Sequence, residues 1–264
     1  MSKRADIIEG AQASAAKYGL VYTCNLGWLD LGHMDPQSTR PHTGASSLWK
    51  EINAGGPEVR QCRGAHRHIC TQPTNASRFP AVTFADGKST GFKLTYKQDM
   101  QKRLLGVTAS SEVKREYIVR HNLSLAEKRS VALAIFMEVS LAFESHQTHF
   151  PRFITDSGFS QEDLVSNLIG FHIAVGTVSK AQVLAMAKPV SKAAALSIWD
   201  RHGSVGSNKN RGFKPLFSPD TWMITDKACT DECAGIVPHA PEFLGSIRPA
   251  EKGDLFMNNV LGSS

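Results

Sequence analysis

The sequence predicts an α+β fold dominated by helix, arranged as a single domain over residues 1–264. Three observations carry that expectation. The stretch VALAIFMEVSLAF, from Val131 to Phe143, is apolar on every side of a helix, and Ser124 with Glu127 forms a capping box ahead of it. A second apolar helix follows Ser160 and Asp163, with Leu164, Leu168, Ile169 and Phe171 as its buried face. Two short alternating runs, Ala81 to Phe84 and Gly91 to Tyr96, flank Asp86-Gly87 and predict an antiparallel hairpin. No internal repeat and no low-complexity linker divides the chain, which is why one domain is expected.

In chain order, residues 5 to 18 have an amphipathic helical pattern stopped by Gly19. Leu20 to Thr23 suit a short buried strand. Gly27 and Gly32 allow close backbone approach, and Asp35-Pro36 ends the segment. Asp30 and His33 sit beside those glycines, where side chains can face a cleft. LWKEI starts a short helix that stops at Gly55-Gly56-Pro57. The run KREYIVR, Lys114 to Arg120, fits either a third strand or a helical turn. The central helix runs from about Leu125 to His146. The second apolar helix ends near Gly176. A further helix covers about Ser191 to His202 and stops at Gly203. GSVGSNKNRG lacks the lysine that a phosphate loop needs after its second glycine, so it is not read as a nucleotide site.

The bulk properties limit the function. At 41% hydrophobic and 20% charged, the composition is that of ordinary globular material. No apolar run has the length of a membrane span. The N-terminal residues lack an apolar signal core. A net charge of +6 favours anionic partners. Its lysines and arginines are scattered without an aromatic–basic repeat, so nothing favours nucleic acid.

There are five cysteines. Cys62 with Cys70, and Cys229 with Cys233, are close enough to close small loops if oxidised, which would leave Cys24 alone. Cys62, His66, His68 and Cys70 could instead form half a zinc site, but CRGAHRHIC has no standard finger spacing. No metal and no cofactor is assigned.

The functional reading starts from Glu138, the single charge between Val131 and Phe143. An acid in so apolar a stretch must pair, protonate or face a cleft. A carboxylic acid kept protonated near neutral pH is what a lysozyme-like glycoside hydrolase needs, together with a second carboxylate. Glu138 is the expected acid, and Asp156, on the loop after its helix, the expected second carboxylate. Glu144 is the runner-up for that second position, about 120° away around the same helix. His33 completes the catalytic set, on the expectation that it shares a cleft with Glu138. Asp30, Ser157 and Asn167 are the expected substrate-binding residues.

Two stretches, YTCNLGWLDLGHMD from Tyr22 to Asp35 and FMEVSLAFES…FITDSGFSQEDLVSNLIGF from Phe136 to Phe171, carry a resemblance. The chain resembles a bacterial family of envelope-associated lipoproteins and toxin-like reading frames. That resemblance implies a bacterial source and links Asp30, His33, Glu138, Asp163 and Asn167. It supplies no reaction. Unlike the lipoprotein members, this chain has neither a signal nor a lipidation cysteine near its start. That pattern fits a protein exported by a dedicated machine, such as a type VI secretion effector, or a cytoplasmic one.

The expectation is therefore an antibacterial hydrolase of peptidoglycan, or of another anionic polymer. It would be held in the producer's cytoplasm, with an immunity protein as a partner, and delivered to the periplasm without a signal peptide. Three alternatives remain open. One is a cysteine amidase or peptidase with Cys24 as nucleophile and His33 as base. Another is a metal-dependent hydrolase using His33, Glu138 and His146 or His149. The last is a non-enzymatic toxin or binding module.

Overall fold

The computed structural model describes residues 2–56, 58–61, 69–70, 90–104, 107–147, 158–215 and 231–258. In chain order the strands are β1 (Leu20–Thr23), β2 (Gly27–Asp30), β3 (Glu58–Gln61), β4 (Ile69–Cys70), β5 (Thr90–Leu104), β6 (Val107–Val119) and β7 (Phe256–Asn258). The helices are α1 (Leu31–Met34), α2 (Ala45–Ala54), α3 (Leu125–Gln147), α4 (Asp163–Ala174), α5 (Lys180–Ala187) and α6 (Lys192–His202). The fold is α+β with antiparallel sheets. Where the sequence is read as one domain, the chain gathers into two compact units, each built from two stretches. Unit 1 comprises Met1–Pro36 and Glu144–Ser246, and unit 2 comprises Gln37–Phe143 and Ile247–Ser264.

Unit 1 is built on the β1–β2 hairpin, which pairs Leu20 with Asp30 and Thr23 with Gly27. Side chains alternate along a strand, and here both faces are covered. Leu20, Tyr22 and Trp28 face α6 residues Ala195 and Ile198. Val21 and Leu29 pack with Val165 and Ile169 of α4 and with Val183 and Leu184 of α5. The hairpin closes with Gly27 at φ +69°, a conformation that favours glycine. Thr23 Oγ1 accepts from the Leu26 N–H and donates to the Gly27 carbonyl.

The amphipathic pattern over residues 5–18 does not become one helix. It forms two short 3-10 turns, Arg4–Asp6 and Gly10–Gln12. Between them Ile7 is extended and bridges to Leu20. A Cβ at Gly10 would lie 2.2 Å from the Val190 carbonyl oxygen, so this segment is moulded to the chain beneath it. Such packing overrides a modest helical preference.

Cys24 is joined to Cys233 in a disulfide, with a Cα separation of 5.4 Å. This corrects two expectations. Cys233 is not paired with Cys229, and Cys24 has no free thiol to serve as a nucleophile. The chain separation of 209 residues explains why local spacing could not reveal the pair. Cys62, Cys229 and the histidines of the possible half zinc site lie outside the described residues, and of Cys70 only the backbone is described.

Unit 2 carries a five-stranded antiparallel sheet in the order β4-β3-β5-β6-β7. Gly91 pairs with Val59 of β3, and Phe92 to Tyr96 pair with Val119 back to Arg115 of β6, so Lys114 to Val119 of KREYIVR are strand. Ala81 to Phe84 lie outside the described residues. Helix α3 buries Val131, Ile135, Phe136 and Val139, while Leu141 is exposed. Its start is capped as expected: Ser124 Oγ accepts from the Glu127 N–H, and Glu127 accepts from the Ser124 N–H.

Glu138 is not a lone buried acid. Arg115 Nη1 lies 2.9 Å from Oε1, Lys252 Nζ lies 2.7 Å from Oε2, and Asn258 Nδ2 donates to Oε1 at 3.0 Å. Its side chain is 16% exposed. The apolar run around Glu138 concealed these partners because both cations come from other parts of the chain. Substituting Glu138→Gln should therefore leave two cations less well compensated and lower stability by about 1–3 kcal/mol. The figure is reduced from that of a fully buried pair because Lys252 is half exposed. Chemical denaturation of wild type and variant at neutral pH checks this, with a smaller difference expected in high salt.

Candidate functional site

The second feature of α3 lies within unit 1. Glu144 is 2% exposed, and its Oε2 accepts the Phe159 N–H at 2.8 Å. Phe159 holds φ at +58°, unusual for a bulky residue, and its ring lies 4.8 Å beneath the Arg211 guanidinium. Strained backbone of this kind persists only where surrounding contacts enforce it. Here Asn210 N–H donates to the Phe159 carbonyl, and Lys209 Nζ donates to the carbonyl of Gly158.

Helix α4 brings a further group of acids to the same unit. Glu162 is its N-cap and Asp163 its first residue. Asp163 Oδ2 accepts the Ser160 N–H at 3.1 Å, but the helix starts after Glu162 without a side-chain cap, so Ser160 does not cap it as the sequence suggested. Asp163 Oδ1 faces His33 Nδ1 at 3.3 Å. One turn later, Ser166 Oγ accepts the Asp30 N–H at 3.0 Å.

Asp30 and His33 come from the β2–α1 corner. Asp30 caps α1: its Oδ1 accepts from the Gly32 N–H at 2.7 Å and the His33 N–H at 3.2 Å. This local bond explains the spacing in Gly-Trp-Leu-Asp-Leu-Gly-His. The aspartate starts the turn that presents the histidine. Helix α1 lies directly on α4 because Gly170 has no side chain. A Cβ there would be 3.0 Å from the carbonyl oxygens of both His33 and Met34.

Ser2 bridges two of the acids. Its Oγ lies 3.1 Å from Asp30 Oδ2 and 2.9 Å from Glu162 Oε1. A serine hydroxyl has one hydrogen to donate. The pair of contacts is strongest when one carboxyl carries a proton and donates to the serine oxygen in return. Glu162 is the natural carrier. It is completely buried, its Oε2 has no hydrogen-bond partner among the described residues, and burial with the nearby Asp163 charge raises it to about 8.

The remaining electrostatics follow the same logic. Burial raises Glu144 to about 7, assisted by Asp163 and opposed by the Phe159 N–H, His33 and Lys209. Burial also raises Asp163, while His33 opposes the shift. The protein crowded around His33 disfavours its charge. Asp30, Asp163, Glu144 and Glu162 outweigh that effect and raise the imidazole to about 9. Its side chain remains 41% exposed. His33 is thus the solvent-facing cation of a carboxylate-rich cluster.

The structure brings some of the expected site residues together within unit 1. Asp30, His33 and Asp163 meet in unit 1, and Asn167 is half-buried on α4 near them in sequence. Glu138 belongs to unit 2 with its own cations. Asp156 and Ser157 lie outside the described residues. Glu144, only a runner-up in the sequence, is a member of the cluster. Glu162 was missed, although two adjacent acids opening an apolar helix were a signal. Among the described residues, no group of three or more His, Cys, Asp or Glu is arranged to hold a metal ion. No described helix is long and apolar enough to cross a membrane. No protein-family model, curated protein or solved structure matches this chain.

The cluster makes stability pH-dependent. Between the ordinary glutamate value near 4.5 and about 8, folded Glu162 keeps a proton that the unfolded chain has lost. Glu144 behaves likewise up to about 7, and His33 between 6.5 and about 9. Stability from these groups therefore falls as pH rises from about 5 to 9. Buried His172, lowered to about 4, has the opposite sign and adds stability as pH rises from 4 to 6.5. Glu162→Gln should match wild-type Tm near pH 5 and exceed it increasingly toward pH 9. Thermal melts across that range check the trend. An increment that does not grow with pH would show that Glu162 is not the proton carrier.

Proposed function

We propose that unit 1 is a hydrolytic acid–base site for a bacterial cell-wall polymer, with glycan cleavage as its reaction. The observation that supports this reading is the solvent-facing His33 imidazole, its Nδ1 beside the buried Asp163 carboxylate and its charge sustained by the surrounding acids. A base or acid oriented by a third group is the arrangement that proton-transfer catalysis requires. Asp163 occupies the Nδ1 side of the ring and leaves Nε2 to meet a substrate oxygen.

In this mechanism His33 is cationic at neutral pH and acts as the general acid. Its Nε2 proton passes to the glycosidic oxygen as the bond from that oxygen to the anomeric carbon breaks. A water molecule oriented by Asp30 supplies hydroxyl to the anomeric carbon, and its proton passes to the Asp30 carboxylate. Protonated Glu144 and Glu162 lie behind this pair and limit the accumulated negative charge. The basic surface suits an anionic wall polymer. The Cys24–Cys233 disulfide suits work in an oxidising compartment such as the periplasm. An antibacterial effector delivered by a secretion machine, neutralised in its producer by an immunity protein, fits both features and the family resemblance.

Digestion of purified peptidoglycan, followed by mass analysis of the products, tests the reading. New reducing ends are expected. Free peptides would support amidase chemistry instead, and intact sacculi would support a binding module. His33→Gln should reduce turnover by about 10²–10⁴-fold. Wild-type activity should decline on an alkaline limb near pH 9, as the proton on His33 is lost. Asp163→Asn removes a charge that favours the imidazolium, so that limb should move to lower pH.

A further inference from the structure

Tyr18 lies next to the α1 corner and is 68% exposed. Its position is well defined. Leu31 N–H donates to the Gly19 carbonyl at 2.9 Å, tying this part of the chain to the start of α1. A Cβ at Gly32 would stand 3.1 Å from Tyr18 Cδ1 and 3.1 Å from Asp30 Oδ1. The tyrosine ring therefore lies against bare Gly32 backbone, near the Asp30 carboxylate and one residue from His33. Exposing a large aromatic ring on a structured segment leaves apolar area in water.

Basic groups accompany the ring. Lys17 Nζ lies 5.5 Å from the Tyr18 ring centroid and 3.7 Å from Asp35 Oδ2. Lys180 donates to the carbonyl of Ala16, one residue before Lys17. Burial lowers Lys180, with Asp35 opposing that shift. An exposed aromatic ring with an ammonium over it matches a sugar ring bearing a carboxylate. The apolar face of the sugar can cover the tyrosine, while the anion meets Lys17.

We infer that Tyr18 and Lys17 form a substrate subsite for an anionic sugar unit, adjoining the His33–Asp30 centre. This inference rests on the glycan-hydrolase reading and adds the subsite that receives the anionic sugar. Tyr18 is a positioning residue: it holds the neighbouring sugar and takes no part in proton transfer. Gly32 is part of the design, because a side chain there would collide with both the ring and the Asp30 carboxylate.

The test uses the full chain, solubilised peptidoglycan glycan carrying carboxylates, and neutral N-acetylglucosamine oligomers. Tyr18→Ala should raise KM for the wall glycan about tenfold, with kcat and the alkaline limb unchanged. Tyr18→Trp should restore KM, and its indole emission should shift when glycan is added. Lys17→Ala should raise KM for the anionic glycan but not for the neutral oligomers. Thermal melts of each variant establish that the folded fraction is the same. If wild type cleaves the glycan while Tyr18→Ala leaves KM within twofold, the subsite is overturned and the hydrolase reading stands. If wild type neither cleaves nor binds the glycan, both fall together.

Discussion

The close approach of α1 to α4 at Gly170 governs the chemistry of unit 1. With the His33 and Met34 carbonyl oxygens 3.0 Å from where a Cβ would stand, there is no room for a side chain without movement. That contact carries His33 to within 3.3 Å of Asp163 and lets the Asp30 backbone bond to Ser166. A shift of about 1 Å in such a group can remove much of its effect on a reaction. The covered β1–β2 hairpin supports the arrangement from below. Both its faces are buried, so the corner that bears Asp30 has little freedom to move.

The cluster places an unusual load on the fold. Asp30, Glu144, Glu162 and Asp163 all act on a single imidazole, and three of those acids are almost wholly removed from water. Ionising every one would be prohibitive in so little solvent. The fold accommodates them with protons as well as with the His33 and Lys209 cations. Ser2 lies between Asp30 and Glu162, and burial raises Glu162 to about 8 and Glu144 to about 7. Groups kept this far from their ordinary titration are characteristic of functional sites, where stability is given up for chemistry.

Helix α3 contains the opposite solution to the same problem. Glu138 meets Arg115, Lys252 and Asn258, whereas Glu144 meets a backbone N–H and a neighbourhood of other acids. Two glutamates on one helix thus have different roles because of what surrounds them. The first knits the β-sheet unit together. The second belongs to a proton-holding cluster. Being a charged residue in an apolar run identifies neither role by itself.

Local pattern was enough for much of the architecture. The Ser124–Glu127 capping box, the apolar lengths of α3 and α4, the glycine stops and the short strand at Leu20–Thr23 all depend on neighbours within a few residues, and these were legible. So was the Asp30–Gly32–His33 corner, since its defining bonds span two or three positions. Everything that required distant partners was not. The extended Ile7 segment, the β5–β6 pairing, the Cys24–Cys233 bridge and the cations of Glu138 come from contacts that no periodicity encodes. The amino-acid sequence determined which acids and histidines were available and which short turns would present them. Only the tertiary structure decided that His33 would meet Asp163, while Glu138 would be neutralised elsewhere. The reason is physical: a carboxylate's protonation and reach are set by the dielectric and charges around it, and those are assembled from remote parts of the chain.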